Sequence, residues 1–357
     1  MKAVFDIKNI KGAIGSLQNA IIQSDNEAHK YLVISVKDGA MYLGIINDFF
    51  GVNHRVDIID GKSGKICVDG KKFLSLMKHS VGKCTISDDS NCLNIVMESS
   101  HYKIGAITYE EYESEVGLFR LLKIPEGGKT INFDTNYLKY KISCIAHCLS
   151  KDISIPVLGN IYFDDKTMLA CDAGYGASTE VRSSINGVML NQYALHCIRN
   201  TETKNISIAS HENNVYGVTD DMIFVCFGLD MSYPVSDIKR LISVFHEQKF
   251  KMKFSFSPES VINSLSRLIS VADKDEDVSI KIDGSSMELA ISTISEGMED
   301  VNIDGDANMN ILVDGKVFGR ILNGFSGDVT WYSDGENAVQ FLSDGETIQF
   351  FNGLKRD

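Results

Sequence analysis

A short phrase occurs twice in this chain of 357 residues, and its spacing limits the architecture more than any other feature. Val68-Asp69-Gly70-Lys71-Lys72-Phe73 returns as Val313-Asp314-Gly315-Lys316-Val317-Phe318, 245 residues on. Both copies read as a strand end, a turn and a short helix. Phe73, Leu76 and Met77 share one helical face, as do Phe318, Ile321, Leu322 and Phe325. The interval is too long for one compact unit. Halving it predicts a third copy near residue 190, where the chain reads Leu190-Asn191-Gln192-Tyr193-Ala194-Leu195. A second marker has nearly the same period: Phe5-Asp6, Phe133-Asp134 and Phe256-Ser257-Pro258, with offsets of 128 and 123. Each precedes apolar residues at helical spacing: Ile10, Ile14, Leu17 and Ile21; Leu138, Ile142, Ile145 and Leu149; Val261, Leu265 and Leu268. Asp6, Asp134 or Thr135, and Ser257 are candidate N-caps, and Pro258 suits a first helical turn. The expectation is three tandem domains, 1–125, 126–245 and 246–357.

Between the helices lie alternating segments that read as strands. They are 31–36, 40–46, 52–59, 84–87, 93–98 and 102–107, then 161–163, 168–171, 206–209, 214–218 and 222–228. The last third offers 278–282, 287–294, 309–313, 329–332, 338–342 and 347–351. Asp38-Gly39, Asp283-Gly284, Asp334-Gly335 and Asp344-Gly345 are turn signals. Each domain thus reads helix, strands, helix, strands. Two amphipathic helices packed on antiparallel sheet make an α+β fold. The acidic run from Glu110 to Gly128 reads as one linker and 234–249 as another, with a helical or irregular stretch at 238–245.

No run approaches the ~18 apolar residues of a membrane span. Asp6, Lys8 and Lys11 interrupt the N-terminal region as no secretory leader would. Eight scattered cysteines without a CxxC read as reduced thiols of a cytoplasmic protein. The net charge of −13 argues against a simple basic nucleic-acid binder. Its distribution says more. The six helix windows 8–23, 70–83, 136–151, 190–204, 259–274 and 315–327 together carry +12, which leaves −25 to the rest. Helices facing one way would make a cationic stripe for phosphates inside an acidic protein.

With these features the sequence resembles the bacterial-type DNA polymerase sliding clamp, the beta subunit of the replicative polymerase, as a divergent relative. The resemblance rests on the threefold repeat, on Ile66-Cys67-Val68-Asp69-Gly70-Lys71-Lys72-Phe73 with its later copy, and on Ile155-Pro156-Val157-Leu158-Gly159-Asn160-Ile161 followed by Met168-Leu169-Ala170-Cys171-Asp172. It implies half of a ring of clamp domains. A head-to-tail homodimer would encircle double-stranded DNA without reading its sequence, with helices lining the hole. Lysines and arginines would then hold phosphates loosely enough to slide. The candidates are Lys8, Lys11, Lys71, Lys72, Lys78, Lys139, Lys141, Arg199, Arg267, Lys316 and Arg320, with Lys151 and Lys274 in loops. The bland alternative for each is an ordinary solvated helix face.

The resemblance also implies an apolar cleft, extended by the C-terminal strand, for the replicative polymerase and the clamp loader. Matching positions are Leu158, Cys171, Ala173, Gly174, Gly176, Pro234, Ile238, Phe350 and Leu354. Tyr102 and Ile104 would meet Leu268 and Ile269 of the other subunit. Catalytic signals are thin. Cys144-x-x-His147-Cys148 lacks a fourth metal ligand, Gly174-Tyr175-Gly176 lacks the rest of a dinucleotide fingerprint, and Asp88-Asp89, Asp164-Asp165 and Asp220-Asp221 sit at turns. The expectation is therefore no catalytic residue, no metal and no cofactor. The runner-up is a clamp-fold protein–protein scaffold that does not encircle DNA.

Overall fold

The computed structural model describes residues 1–21, 27–89, 91–116, 129–152, 154–272, 277–292, 296–335 and 338–355. They form two compact units, residues 1–139 with 189–230 and residues 140–188 with 231–357. Among the described residues there are eight α-helices. They are α1 Lys8–Ala20, α2 Gly70–His79, α3 Tyr109–Val116, α4 Thr135–Ile145, α5 Gln192–Asn200, α6 Val235–Glu247, α7 Pro258–Val271 and α8 Gly315–Leu322. The strands of each unit pair antiparallel, so the class is α+β.

In the first unit the hydrogen-bonded order is Lys129–Asp134, Asn205–His211, Asn214–Val218, Met222–Cys226, Phe50–Asp57, Ala40–Ile46, Tyr31–Lys37, Gly64–Asp69, Ser100–Ile107, Cys92–Met97, Lys83–Asp89, Lys2–Asp6 and Asp60–Lys62. In the second it runs Asn160–Asp164, Thr167–Cys171, Tyr175–Glu180, Thr347–Asn352, Val339–Ser343, Val329–Ser333, Met252–Phe256, Glu296–Asp314 and Asp277–Ser292. Asp60–Lys62 and Tyr175–Glu180 are missing from the sequence reading, and so are Lys2–Asp6, Lys129–Asp134 and Met252–Phe256, which form a set of their own. Each of these three ends at or beside the repeated phenylalanine. Phe5, Phe133 and Phe256 are all buried, which explains why the marker recurs.

The helix starts bear out the repeat chemically. Asp69 accepts from Lys72 N–H, Asn191 from Ala194 N–H, and Asp314 from both Lys316 N–H and Val317 N–H. So the looser copy at 190 keeps the cap although it loses the charge. At the first helices Asp6 accepts from Lys8 N–H and Asp134 from Tyr137 N–H. Ser257 makes no side-chain cap bond, and Pro258 opens α7. Asp314→Ala should lower stability by about 1 kcal/mol, since it leaves two helix donors without their side-chain acceptor. The urea midpoint would register that change, and an unmoved midpoint would refute the cap.

Two expectations need correction. Asp38-Gly39 turns a two-residue hairpin, with φ of 50° and 73°. Asp283-Gly284, spelled the same way, does not. Gly284 has φ 63°, but it lies within Asp277–Ser292, where the register against Glu296–Asp314 shifts between Gly284 and Ser286. The glycine serves a bulge, because the strand after it continues along the same partner. The acidic segment read as a linker is, over its described part, helix α3. Its Tyr112 is fully buried among Ala28, Val33, Ile46 and Cys67. The Ile238 segment of the second predicted linker is likewise helical, in α6.

In the second unit the core centres on Trp331. Phe254, Phe318 and Phe351 lie 5.4–5.5 Å from it, and its Nε1 donates to Gln340 Oε1 at 3.1 Å. In the first unit Phe50 stacks on Tyr193 of α5 at 5.6 Å and tilts on Phe224 at 5.8 Å.

Candidate nucleic-acid interface and partner cleft

The helix cations divide by what holds them. Lys71, Lys78, Arg199 and Lys151 are exposed. Lys8 and Lys72 are exposed too, with only nearby carboxylates for company, Asp6 at 3.2 Å and Asp69 at 3.4 Å. Such surface pairs are worth little and leave the ammonium open to another anion. Lys316 is exposed on α8, and Arg320 is half-buried with its guanidinium 5.8 Å from the Tyr175 ring.

Other candidates are held by partners within the chain. Lys11 Nζ donates to the carbonyls of Met77 (3.0 Å) and Lys78 (2.6 Å), the last turn of α2. Lys139, 128 residues later, donates to Thr201 O just past α5. These two lysines satisfy orphan carbonyls at helix C-termini, where positive charge also opposes the helix dipole. Their repeat is a structural one. Lys141 is 3% exposed, its ammonium 2.7 Å from Glu346 Oε2 and 3.4 Å from Thr179 Oγ1. That contact holds the Glu346 carboxyl below the usual range. Lys141 therefore leaves the set of solvent-facing cations, because a buried ammonium requires its partner. Arg267 binds Glu299 in bidentate fashion at 2.7 and 2.6 Å, which likewise lowers the Glu299 carboxyl. Lys274 lies outside the described residues.

A cleft of about 200 Å³ opens in the first unit. Lys8, Asn9, Gly12 and Ser16 of α1 line it, with His54, Arg55, Asn200 and Asp221. Ser16 Oγ donates to Ala13 O at 3.0 Å and meets His54 Nε2 at 2.6 Å. Burial pushes the His54 pKa down to about 4. Sequence reading missed this cleft and Arg55. They join α1, α5 and two strands, and no local pattern encodes that meeting.

The residues expected to form a partner cleft lie in the second unit, on two paired strands and the segments beside them. Gly176 faces Phe350 across the ladder. A Cβ on Gly176 would sit 2.5 Å from the Phe350 ring, so the ring requires glycine there. Cys171 and Phe350 are buried, Leu158 and Pro234 half-buried, and Ala173 and Gly174 exposed. Ile238 is the buried residue of α6. Burial raises the Cys171 thiol. Tyr233 stacks on Tyr162 at 5.1 Å and donates to Leu169 O at 3.4 Å, forming a wall. Leu354 is placed through its backbone, opposite Leu312. His147, weighed above as a metal ligand, meets Gln349 Oε1 through Nε2 at 2.9 Å.

Of the four proposed interface residues Tyr102 is exposed, at 43%. Ile104 and Leu268 are buried core, and Leu268 packs beside Gly297 of its own sheet. Ile269 packs beside Gly315 at the start of α8. Neither Ile104 nor Leu268 offers surface to a second chain.

Helices packed on antiparallel sheet in this order make the DNA sliding-clamp fold. The chain aligns over its full length with the DNA polymerase III beta subunit of Thermotoga maritima, at 18% identity, TM-score 0.86 and 100% of that chain. A C. crescentus beta sliding clamp gives 13% identity and TM-score 0.86 over 100% of this chain and 99% of the other. A Bartonella birtlesii DnaN sliding clamp bound to griselimycin gives 14% and 0.85 over 100% of both. No protein-family model and no curated protein matches the sequence. Identities this low establish the fold. No described helix is long and apolar enough to cross a membrane.

Proposed function

We propose that the chain is a DNA sliding clamp, three clamp domains that pair head to tail with a second copy and encircle duplex DNA. One observation carries this reading. Phe50–Asp57 pairs with Met222–Cys226 in the first unit, and Tyr175–Glu180 with Thr347–Asn352 in the second. Each pairing joins a middle strand of one repeat to a strand near the end of the next. The third instance is left open at both ends. Among the described residues, 100–105 of Ser100–Ile107 have a free edge, since Ala106 and Ile107 alone pair with Gly64–Asp69. Residues 296–303 have a free edge as well, among the described residues. Tyr102 and Met298, 43% and 64% exposed, stand on these two stretches. Unpaired edges invite partners, and an exchange between two chains would satisfy both edges twice and close a ring.

In that ring the exposed lysines hold phosphates through screened charge, and topology supplies retention. No reaction and no cofactor are required. The cleft of the second unit takes an extended, apolar-anchored peptide from the polymerase or the clamp loader. Griselimycin, bound by the Bartonella clamp, is the probe expected to occupy it. The deciding experiment loads the protein on nicked circular DNA and then linearises the circle. A ring stays on the circle and slides off the ends, and light scattering gives twice the 39.5 kDa chain mass. Equal retention on both forms, or none on either, would favour a scaffold that never encircles DNA.

A further inference from the structure

The cleft of the second unit has a counterpart in the first, built from the same backbone. Asp172 N–H donates to Tyr175 O at 2.8 Å, and Asn47 N–H to Phe50 O at 2.8 Å. Asn352 N–H donates to Gly174 O at 3.2 Å, and Phe227 N–H to Phe49 O at 3.1 Å. Gly176 pairs with Phe350 as Gly51 pairs with Val225. All of these pairs are 125 residues apart. A 3-10 turn enters the first strand of each hairpin, Pro156–Gly159 before Asn160 and Glu27–Lys30 before Tyr31. Val33 pairs with Gly44 as Tyr162 pairs with Leu169. The backbone thus sets Leu158, Ala173 and Gly174 against His29, Asp48 and Phe49.

The contents differ. A Cβ at Gly174 would meet nothing within 4 Å, so that floor is open. At its counterpart stands the phenyl ring of Phe49, about half covered at 45% exposure. Beside it His29 Nε2 lies 3.5 Å from Asp48 Oδ1, where the second copy has two apolar side chains. His29 is itself buried, so a polar imidazole is packed at the position that a half-buried leucine holds in the second unit. A peptide entering the first copy would meet a ring and would have to desolvate a carboxylate.

We propose that His29, Asp48 and Phe49 shut the first copy of the cleft, so that each chain presents one peptide site. The proposal rests on the reading of the second-unit cleft as the partner site. Replacing the three residues by their counterparts, His29→Leu, Asp48→Ala and Phe49→Gly, should open a second site for the same class of extended, apolar-anchored ligand. Titration calorimetry with griselimycin counts the sites. The triple variant should bind one molecule more per chain than the parent. The reciprocal variant, Gly174→Phe, should weaken binding in the second unit at least tenfold, because the ring has open space to enter. No added site in a triple variant with a parental near-ultraviolet spectrum overturns the proposal. If the triple variant does not fold, unchanged affinity in Gly174→Phe overturns it. A parent that binds no griselimycin overturns the cleft reading and this proposal with it, whereas a parent that binds while the folded triple variant gains nothing overturns the proposal alone.

Discussion

Reversing Lys8, Lys71, Lys72, Arg199 and Lys316 to glutamate should shorten the lifetime of the protein on circular DNA about 100-fold or more, with little change in melting temperature. All five side chains are exposed on helices. Each phosphate contact contributes about 0.9 to the slope of log K against log salt, so removing five should flatten that slope by roughly 4. Glutamate adds repulsion from the same positions. The fold should tolerate the changes, because four of the five lie in first helical turns, where a negative charge suits the dipole. Lys11→Glu and Lys139→Glu should behave in the opposite manner. Each removes a donor from helix-end carbonyls and should cost about 1–2 kcal/mol of stability. Unchanged DNA lifetime in the fivefold variant would remove these helices from the DNA-facing surface.

Stability should fall by about 3 kcal/mol between pH 6.5 and 4 on account of His54 alone. Its pKa is about 4 in the fold against 6.5 for the free side chain. The unfolded chain therefore binds a proton first as pH drops, and protonation favours unfolding. The stabilising difference is complete above pH 6.5 and is lost progressively toward pH 4. Each pKa unit is worth 1.36 kcal/mol, which sets the scale. Burial is the main cause, and the Asp221 charge opposes it. Carboxylates elsewhere also titrate in acid, so the test is a comparison. His54→Leu should be less stable at pH 7, because it strands the Ser16 contact, and should lack this part of the acid slope. Equal slopes in parent and variant would mean that the ring is already protonated or well solvated.

Much of the fold was legible because it is local. Apolar spacing marks α1, α4 and α7, and one Asx side chain after a strand marks the starts of α2, α5 and α8. Turn chemistry was a weaker guide. Asp38-Gly39 and Asp283-Gly284 carry the same two residues, yet a neighbouring strand decides between hairpin and bulge. Cleft positions such as Leu158, Gly176 and Phe350 were reachable through the resemblance, since a backbone pattern carries them. The cations were harder. On a helix surface Lys71 and Lys141 look alike, but 205 residues after Lys141 the chain brings Glu346 to its ammonium.

The sequence by itself determined how many times the unit repeats, where its helices begin and which faces are apolar, because short-range periodicity and capping chemistry specify these. Only the tertiary structure decided which lysines are committed to partners within the chain, which side chains stand at the matching backbone positions of the two units, and which strand edges lack a partner among the described residues. Those depend on desolvation and on pairing between segments that are distant along the chain, by 62 residues for Lys139 and 205 for Lys141, and charge and volume at such meetings leave no local trace.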